Sequence, residues 1–185
     1  MKLVETRFPD VFIIEPTVIE DSRGWFMESW SATKMNDVGL KYDFVQDNHS
    51  YSDQKGVLRG IHFQKEPYAQ AKLVRCTSGS VLDIVVDLRK GSPTYKKWIA
   101  LELSAENRRQ LIIPRGYGHG FLTITDNVEF LYKADNYYSA TDDRSIRWND
   151  PELSIDWGIK EPTISEKDAN APLLCDSDCN FVWRG

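Results

Sequence analysis

Short segments with alternating side chains, each closed by a turn, constrain the fold more than any other feature. The clearest runs from Val81 to Leu88, with its aspartates on one face and its leucine and isoleucine side chains on the other. A period of two residues is typical of a β-strand. The pattern predicts further strands over Trp25–Trp30, Phe44–Ser52, Val57–Gln64, Gln70–Thr77, Trp98–Leu103, Gln110–Ile113, Gly120–Ile124 and Val128–Tyr138.

Helical patterns occur at only two places. Ser31 can cap a short helix through Val38 that ends at Gly39. Ser165 and Asp168 have the Ser-x-x-Asp spacing of a capping box before a second short helix. Roughly ten strands with marginal helices predict an all-β sandwich or barrel, and we favour a jelly roll.

Length and charge narrow the class of protein. The chain has 185 residues, which predicts one domain over residues 1–185. Its net charge of −5 does not fit a nucleic-acid-binding protein. Apolar runs are short and the N-terminus carries Glu5 and Asp10, so we expect neither membrane insertion nor a signal peptide. Cys76, Cys175 and Cys179 form an odd set, which favours free thiols in a reducing cytoplasm.

Two of the three histidines lie in glycine-rich motifs. His62 follows Gly56 and precedes Gln64, and His119 closes a Pro-x-Gly-x-x-His motif. These motifs look like degenerate halves of the two cupin motifs, in which Gln64 takes the place of a second histidine. Two imidazoles are too few for a catalytic zinc site, which usually has three protein ligands. The pattern favours a metal-free organic site over a metal centre.

Strand phase supplies further candidates. Lys72 falls on the same face as Val74, where a lysine inside an apolar core would be unusual without a partner. Tyr132 shares a face with Phe130 and Tyr138 in the predicted strand. The residues alone leave alternatives open. Lys72 could be exposed to solvent, Tyr132 could be a core tyrosine, and His119 could be a structural histidine. His49 lies on the face opposite Gln46 and Asn48, so we interpret it as structural.

Many motifs in one order resemble a known family. They are Arg23-Gly24-Trp25-Phe26, Gln46-Asp47-Asn48, Leu58 to Gln64, Lys72 to Arg75, Pro114 to Phe121, Glu129 to Lys133, Trp148 to Pro151 and Ser165 to Asp168. Together they resemble the dTDP-4-dehydrorhamnose 3,5-epimerases, over residues 9–174. The resemblance implies a cupin-type jelly roll and an enzyme of dTDP-L-rhamnose synthesis.

The resemblance also implies a mechanism. The substrate would be dTDP-4-dehydro-6-deoxy-glucose, whose C3 and C5 flank a ketone. By motif, His62 would be the base and Asp168 would orient its imidazole. Lys72 would stabilise the enolate oxygen, and Tyr132 would return the proton from the opposite face. The scheme requires no cofactor and no metal.

Substrate binding is carried over in the same way. Arg23 and Arg59 would bind the diphosphate, and Phe26 and Tyr138 would stack on the thymine. The other implied binding residues are Glu28, Gln46, Asp47, Asn48, His119, Asp143 and Lys167. Part of the nucleotide site in this family comes from a neighbouring subunit, so a homodimer is implied.

Arg59 and His62 are three residues apart, which places them on opposite faces of a regular strand. If both line the site, the strand is irregular, and Gly60 is the residue that tolerates a bulge. We therefore predict non-ideal backbone at Arg59 to Ile61.

Three rival functions stay open. The first is a relative that inverts only C3 or only C5, or that acts on another nucleotide-linked 4-keto sugar. The second is a non-catalytic sugar-binding cupin, and the third is a metal-dependent cupin enzyme.

One site residue departs from the family pattern. Asp143 stands at a position where glutamate is usual in the family.

Overall fold

The computed structural model describes all 185 residues, and strands dominate it. The strands are β1 (Lys2–Glu5), β2 (Phe12–Glu15), β3 (Val18–Asp21), β4 (Gly24–Met27), β5 (Gln46–Ser52), β6 (Leu58–Gln64), β7 (Lys72–Ser78), β8 (Ser80–Asp87), β9 (Trp98–Ser104), β10 (Gln110–Ile113), β11 (Tyr117–Thr123), β12 (Val128–Ala134) and β13 (Asp143–Ser145). Two short helices, α1 (Ala32–Asp37) and α2 (Glu166–Ala169), and one 3₁₀ turn (Leu174–Asp176) complete the structure. Neither α1 nor α2 has the length and hydrophobicity of a membrane-spanning helix.

Two antiparallel sheets form the body of the molecule. The six-stranded sheet has the order β1-β2-β10-β7-β12-β5, and the five-stranded sheet has the order β13-β6-β11-β8-β9. Strands β3 and β4 pair only with each other, as a separate hairpin. Strands that are distant in sequence are neighbours in both sheets, as a jelly roll requires. The predicted fold class is confirmed.

The space between the sheets holds the first apolar core. Val74 and Phe130 of the six-stranded sheet pack there with Val85 and Phe121 of the five-stranded sheet. Strand β8 is buried on both faces, because Ile84 on its other face joins a second core. The C-terminal segment covers that outer face. The alternation predicted for β8 is therefore real, but neither face meets solvent.

Helix α1 forms where the sequence predicts it. The Ser31 side chain accepts a hydrogen bond from the Lys34 N–H, and Gly39 follows the helix with a φ of +85°. Met35 of the helix packs with Ile14 and Leu73 against the outer face of the six-stranded sheet. This packing buries Ile14, Leu73 and Ile112 on that face.

Several predicted boundaries are wrong. The strand predicted to run to Tyr138 ends at Ala134, so Tyr138 does not share the strand face of Tyr132. The strand predicted over Trp25–Trp30 is the short β4, which belongs to the hairpin and not to the jelly roll. Strands β1, β2, β3 and β13 have only three or four residues each, too few for an alternating pattern to reveal.

Candidate active site

A cavity of about 280 Å³ lies between the two sheets and is lined by all four predicted catalytic residues. Its lining residues are Ser50, Arg59, His62, Lys72, His119, Phe121, Phe130, Tyr132, Ser165, Lys167 and Asp168. Strands β6 and β11 of the five-stranded sheet supply the two histidines. Strands β7 and β12 of the six-stranded sheet supply Lys72 and Tyr132. The imidazoles and the phenol therefore reach the cavity from opposite walls.

His62 is paired with a buried carboxylate. Its Nε2 lies 2.6 Å from Oδ1 of Asp168, whose side chain is almost fully buried. Burial alone would raise the pKa of Asp168, but the hydrogen bond and charge of His62, with the Gly60 N–H, hold that pKa below its usual value. Asp168 therefore accepts the Nε2 proton, and Nδ1 of His62 remains the basic nitrogen.

Helix α2 places Asp168 opposite His62. The Ser165 hydroxyl accepts a hydrogen bond from the Asp168 N–H, as the predicted cap requires. The Asp168 carboxylate does not return a bond to the backbone of Ser165. It contacts His62 and the Gly60 N–H instead, which shows that this acid does more than cap a helix.

The predicted irregularity at Gly60 is confirmed. His62 faces His119 on β11, but Arg59 faces Phe121, so two residues of β6 oppose the single Gly120. Gly60 has a φ of +133°, and a Cβ there would lie 2.5 Å from the Gly120 Cα. Only glycine fits this position. The extra residue brings Arg59 and His62 to the same cavity.

His119 has a carboxylate of its own. Its Nε2 lies 2.8 Å from Oδ2 of Asp83, a fully buried residue of β8. The other carboxylate oxygen of Asp83 is buried with no hydrogen-bond partner. Burial raises the pKa of Asp83, and the charge and hydrogen bond of His119 partly offset this rise. Two histidine–aspartate pairs therefore stand side by side on one wall.

Lys72 and Tyr132 form the opposite wall. The Lys72 Nζ lies 5.5 Å from the centre of the Tyr132 ring. Burial lowers the pKa of Lys72 to about 8, although Asp143 and Asp83 act in the other direction. Burial, with the nearby Asp143 carboxylate, raises the pKa of Tyr132. The phenol thus stays protonated at neutral pH.

A network of hydrogen-bonded polar side chains borders the cavity. The Lys167 Nζ lies 2.5 Å from Oδ2 of Asp143, which also accepts a bond of 3.2 Å from the Tyr138 hydroxyl. Gln46 joins this group, because its Oε1 accepts the Tyr138 N–H at 3.0 Å and its Nε2 donates to Asn48. The Nδ2 of Asn48 is buried without a partner. These five predicted binding residues are therefore connected.

Four predicted binding residues lie elsewhere in this chain. Arg23 lies in the turn of the β3–β4 hairpin and pairs there with Asp21, the last residue of β3. Phe26 is 67% exposed, and Glu28 pairs with Lys34 of α1. Asp47 lies on the outer face of the six-stranded sheet, where it pairs with Lys133. None of the four lines the cavity of His62.

The residues do not fit the metal centre of a metal-binding cupin. Gln64, in place of a second histidine, uses both amide atoms on backbone groups of two loops. No group of three or more His, Cys, Asp or Glu side chains could hold a metal ion. Catalytic zinc usually takes three protein ligands.

Sequence reasoning missed two residues of the site. In the sequence, Asp83 is one of the alternating residues of a predicted strand, and no motif singles out Ser50. The signal for Asp83 was present, because an aspartate between Val81 and Val85 on an inward face needs a partner. Only the pairing of β11 with β8 shows that His119 is that partner.

A jelly roll with such a cavity belongs to the acid–base enzymes of the cupin class. The model of the dTDP-4-dehydrorhamnose 3,5-epimerase family matches residues 5–176. The enzyme of that name from Shigella flexneri is 51% identical over 179 residues, which cover 96% of this chain and 98% of the relative. The chain belongs to the dTDP-4-dehydrorhamnose 3,5-epimerase family.

Solved structures are similar over the whole fold. The dTDP-6-deoxy-D-glucose-3,5-epimerase of Legionella pneumophila, in complex with dTDP-4-keto-L-rhamnose, has a TM-score of 0.95 and 41% identity, and covers 100% of this chain and 99% of its own. The dTDP-4-dehydrorhamnose 3,5-epimerase of Bacillus anthracis, with TDP and PPi bound, has a TM-score of 0.91 and 46% identity. That match covers 93% of this chain and 98% of the Bacillus chain.

Proposed function

We propose that this chain inverts C3 and C5 of dTDP-4-dehydro-6-deoxy-D-glucose to give dTDP-4-dehydro-L-rhamnose. One observation carries the proposal: a basic imidazole and a protonated phenol reach one cavity from opposite sheets. Inversion of a carbon requires removal of a proton from one face and its return to the other. A histidine–aspartate pair on one side of the cavity could remove the proton but could not return it to the opposite face.

His62 begins the reaction. Its free Nδ1 takes the proton from a carbon beside the C4 ketone, and the electron pair of that C–H bond moves onto the ketone oxygen as an enolate. Asp168 holds the ring in the tautomer that leaves Nδ1 free. The buried carboxylate also stabilises the imidazolium that forms.

Lys72 stabilises the enolate. Its ammonium lies in the cavity without a hydrogen-bonded carboxylate, so its charge is available to a developing oxyanion. Preorganised charge of this kind costs no reorganisation during the reaction and typically contributes about 3–4 kcal/mol.

Tyr132 completes the inversion. Its hydroxyl donates a proton to the opposite face of the carbanion, the C–H bond re-forms, and the enolate electrons return to the carbonyl. The resulting phenolate and imidazolium then exchange protons with water to restore both groups. The same pair serves the second carbon after the sugar shifts in the cavity.

The diphosphate is expected to lie at the edge of the reacting cavity. Arg59 has a guanidinium geometry suited to phosphate oxygens, and Lys167 adds a second cation at the rim. Relatives of this chain have been solved with dTDP-sugar, and with TDP and pyrophosphate. We infer that the diphosphate lies between these two cations.

Solvent deuterium separates double from single epimerisation. Incubation with the dTDP-4-keto sugar in heavy water is expected to place deuterium at both C3 and C5, because each proton is lost to His62 and replaced from Tyr132. Mass spectrometry and proton NMR of the product measure the label. Label at one carbon only would identify a mono-epimerase, and binding without label would identify a sugar-binding module.

The hairpin suggests a homodimer. Arg23 and Phe26 lie on a two-stranded ribbon that exposes Ile19, Trp25 and Phe26 and does not touch the cavity of its own chain. An exposed group of large apolar side chains marks an interaction surface. We infer that the hairpin of one protomer completes the nucleotide site of its partner.

Complementation tests the shared site. Arg23→Glu and His62→Asn should each be nearly inactive alone, but unfolded and refolded together they should recover about a quarter of wild-type activity, because random pairing into symmetric dimers makes half of them heterodimers with one intact site. Light scattering measures the dimer in parallel. No recovery from a dimeric mixture would place Arg23 in its own chain's site or in neither.

Three free thiols are consistent with a cytoplasmic location. Cys76 and Cys179 are buried and Cys175 is exposed, and none forms a disulfide. Unpaired cysteines are typical of reducing compartments.

A further inference from the structure

The loop that follows β12 carries Tyr138 and is held by glutamine side chains. Four consecutive residues, Asn136 to Ser139, each give one backbone group to a glutamine amide. Gln70 Nε2 donates to the Asn136 carbonyl at 2.8 Å, and Gln64 Nε2 donates to the Tyr137 carbonyl at 3.1 Å. The Tyr138 N–H donates to Gln46 Oε1 at 3.0 Å, and the Ser139 N–H donates to Gln64 Oε1 at 2.7 Å.

The three glutamines come from three places in the sheets. Gln46 begins β5, Gln64 ends β6, and Gln70 lies just before β7. Gln64 is only 4% exposed, and its Nε2 makes a further bond of 2.7 Å to the carbonyl of Tyr68. We call Gln46, Gln64 and Gln70 the glutamine clamp.

Packing does not explain how the loop is held. The side chains of Tyr137 and Tyr138 are mostly exposed, so little apolar burial fixes their backbone. The clamp therefore supplies contacts that a hydrophobic core supplies elsewhere. A buried amide with its hydrogen bonds satisfied is also costly to replace, which suits a rigid support.

We propose that the clamp is a positioning device for the nucleotide base, in which Gln64 and Gln70 hold the backbone that sets the plane of the Tyr138 ring. The inference rests on the proposed function and on the base-stacking role that the resemblance to the epimerase family implies for Tyr138. A ring held in the right plane before binding loses little freedom when a flat base stacks on it. Gln64 and Gln70 act through Tyr138 and touch no substrate.

Gln64→Glu is the decisive variant, with dTDP as the probe. A carboxylate still accepts the Ser139 N–H but donates nothing to the carbonyls of Tyr137 and Tyr68. We expect calorimetry to show a dTDP Kd raised about tenfold, and kinetics to show a higher KM with kcat within about threefold of wild type. The same change in a Tyr138→Ala background should raise Kd less than twofold, because a residue that acts through the ring has no effect without it.

Asn107→Asp is the matched control. Asn107 also bonds three backbone groups, in the turn between β9 and β10, and the change removes its donation to the Glu102 carbonyl. We expect a lower Tm with an unchanged dTDP Kd. If Gln64→Glu does not fold, Gln70→Met takes its place in the same cycle, since Gln70 is only partly buried and makes one donated bond.

Each result decides between two proposals. Wild-type protein that does not bind dTDP would overturn the proposed function and, with it, this inference. If wild type binds dTDP, the inference alone fails when Gln64→Glu lowers only the Tm, or when it weakens binding equally with and without the Tyr138 ring.

Discussion

His62→Asn and Tyr132→Phe are each expected to lower kcat by about 10²–10⁴-fold, the usual contribution of a positioned acid or base. Asparagine has no basic nitrogen, and phenylalanine keeps the ring of Tyr132 but has no proton to return. Tyr132→Phe should change Tm little, because the phenol lines the cavity and is not fully buried. His62→Asn should also lower Tm, because it removes the imidazole that pairs with the buried Asp168 carboxylate. Steady-state kinetics and calorimetric melting measure the two effects.

Matched controls exist for both variants. His49→Asn removes an exposed imidazole that lies 3.3 Å from Glu129, on the outer face of the six-stranded sheet. Tyr42→Phe removes a partly buried hydroxyl beside the core that α1 covers. Both controls should keep wild-type kcat. If Tyr132→Phe retains turnover and only loses stability, Tyr132 is a core tyrosine and another group returns the proton.

Lys72→Met is expected to lower kcat by about 10²–10³-fold and, in contrast, to raise stability. The loss follows from removing the charge that stabilises the enolate. The gain follows from the pKa of Lys72, which burial lowers to about 8 from an ordinary value of 10.5. Removing a charge that is costly to bury should raise the free energy of unfolding at pH 7 by about 1–3 kcal/mol, since one pKa unit corresponds to about 1.4 kcal/mol.

The lowered pKa of Lys72 predicts how both stability and turnover depend on pH. Between pH 8 and 10.5 the unfolded chain holds the Lys72 proton and the folded chain has lost it, so this lysine makes stability rise with pH there. The cost of the buried charge is complete below pH 8. Turnover should move the opposite way and fall as pH rises through about 8, when the ammonium is lost.

Lys96→Met provides the comparison for this lysine. Lys96 lies at the surface and pairs with Glu152 at 3.0 Å, far from the cavity. Its loss should leave kcat unchanged and should not raise the Tm. Lower stability in Lys72→Met, with kcat near wild type, would mean that Lys72 is a structural residue and that the enolate has another stabiliser.

Local patterns predicted most elements of the jelly roll. The caps at Ser31 and Ser165 and the strand Gln110–Ile113 needed only neighbouring residues, because capping and alternation act over a few positions. The end of β12 could not be predicted from neighbouring residues alone. An alternating pattern continues to Tyr138, but the strand ends at Ala134, and amides from elsewhere in the chain bind the backbone of the loop that follows.

The candidate site shows the same division. Motif order named His62, Lys72, Tyr132 and Asp168, and all four meet in one cavity. It could not reveal that His119 is the partner of Asp83, because strand pairing decides which group meets a buried carboxylate. Nor could it place Arg23 and Glu28, since a residue's type does not state which surface its hairpin will contact.

By itself, the sequence determined the all-β class and the glycine that permits a bulge, and the order of its motifs suggested which residues are candidates for proton transfer. Those properties depend on side-chain chemistry and on backbone preferences over a few residues. Only the tertiary structure decided that imidazole and phenol stand on opposite walls, and that glutamines hold the Tyr138 loop. These facts arise from contacts between residues far apart in the chain, and their geometry exists only after the sheets have closed.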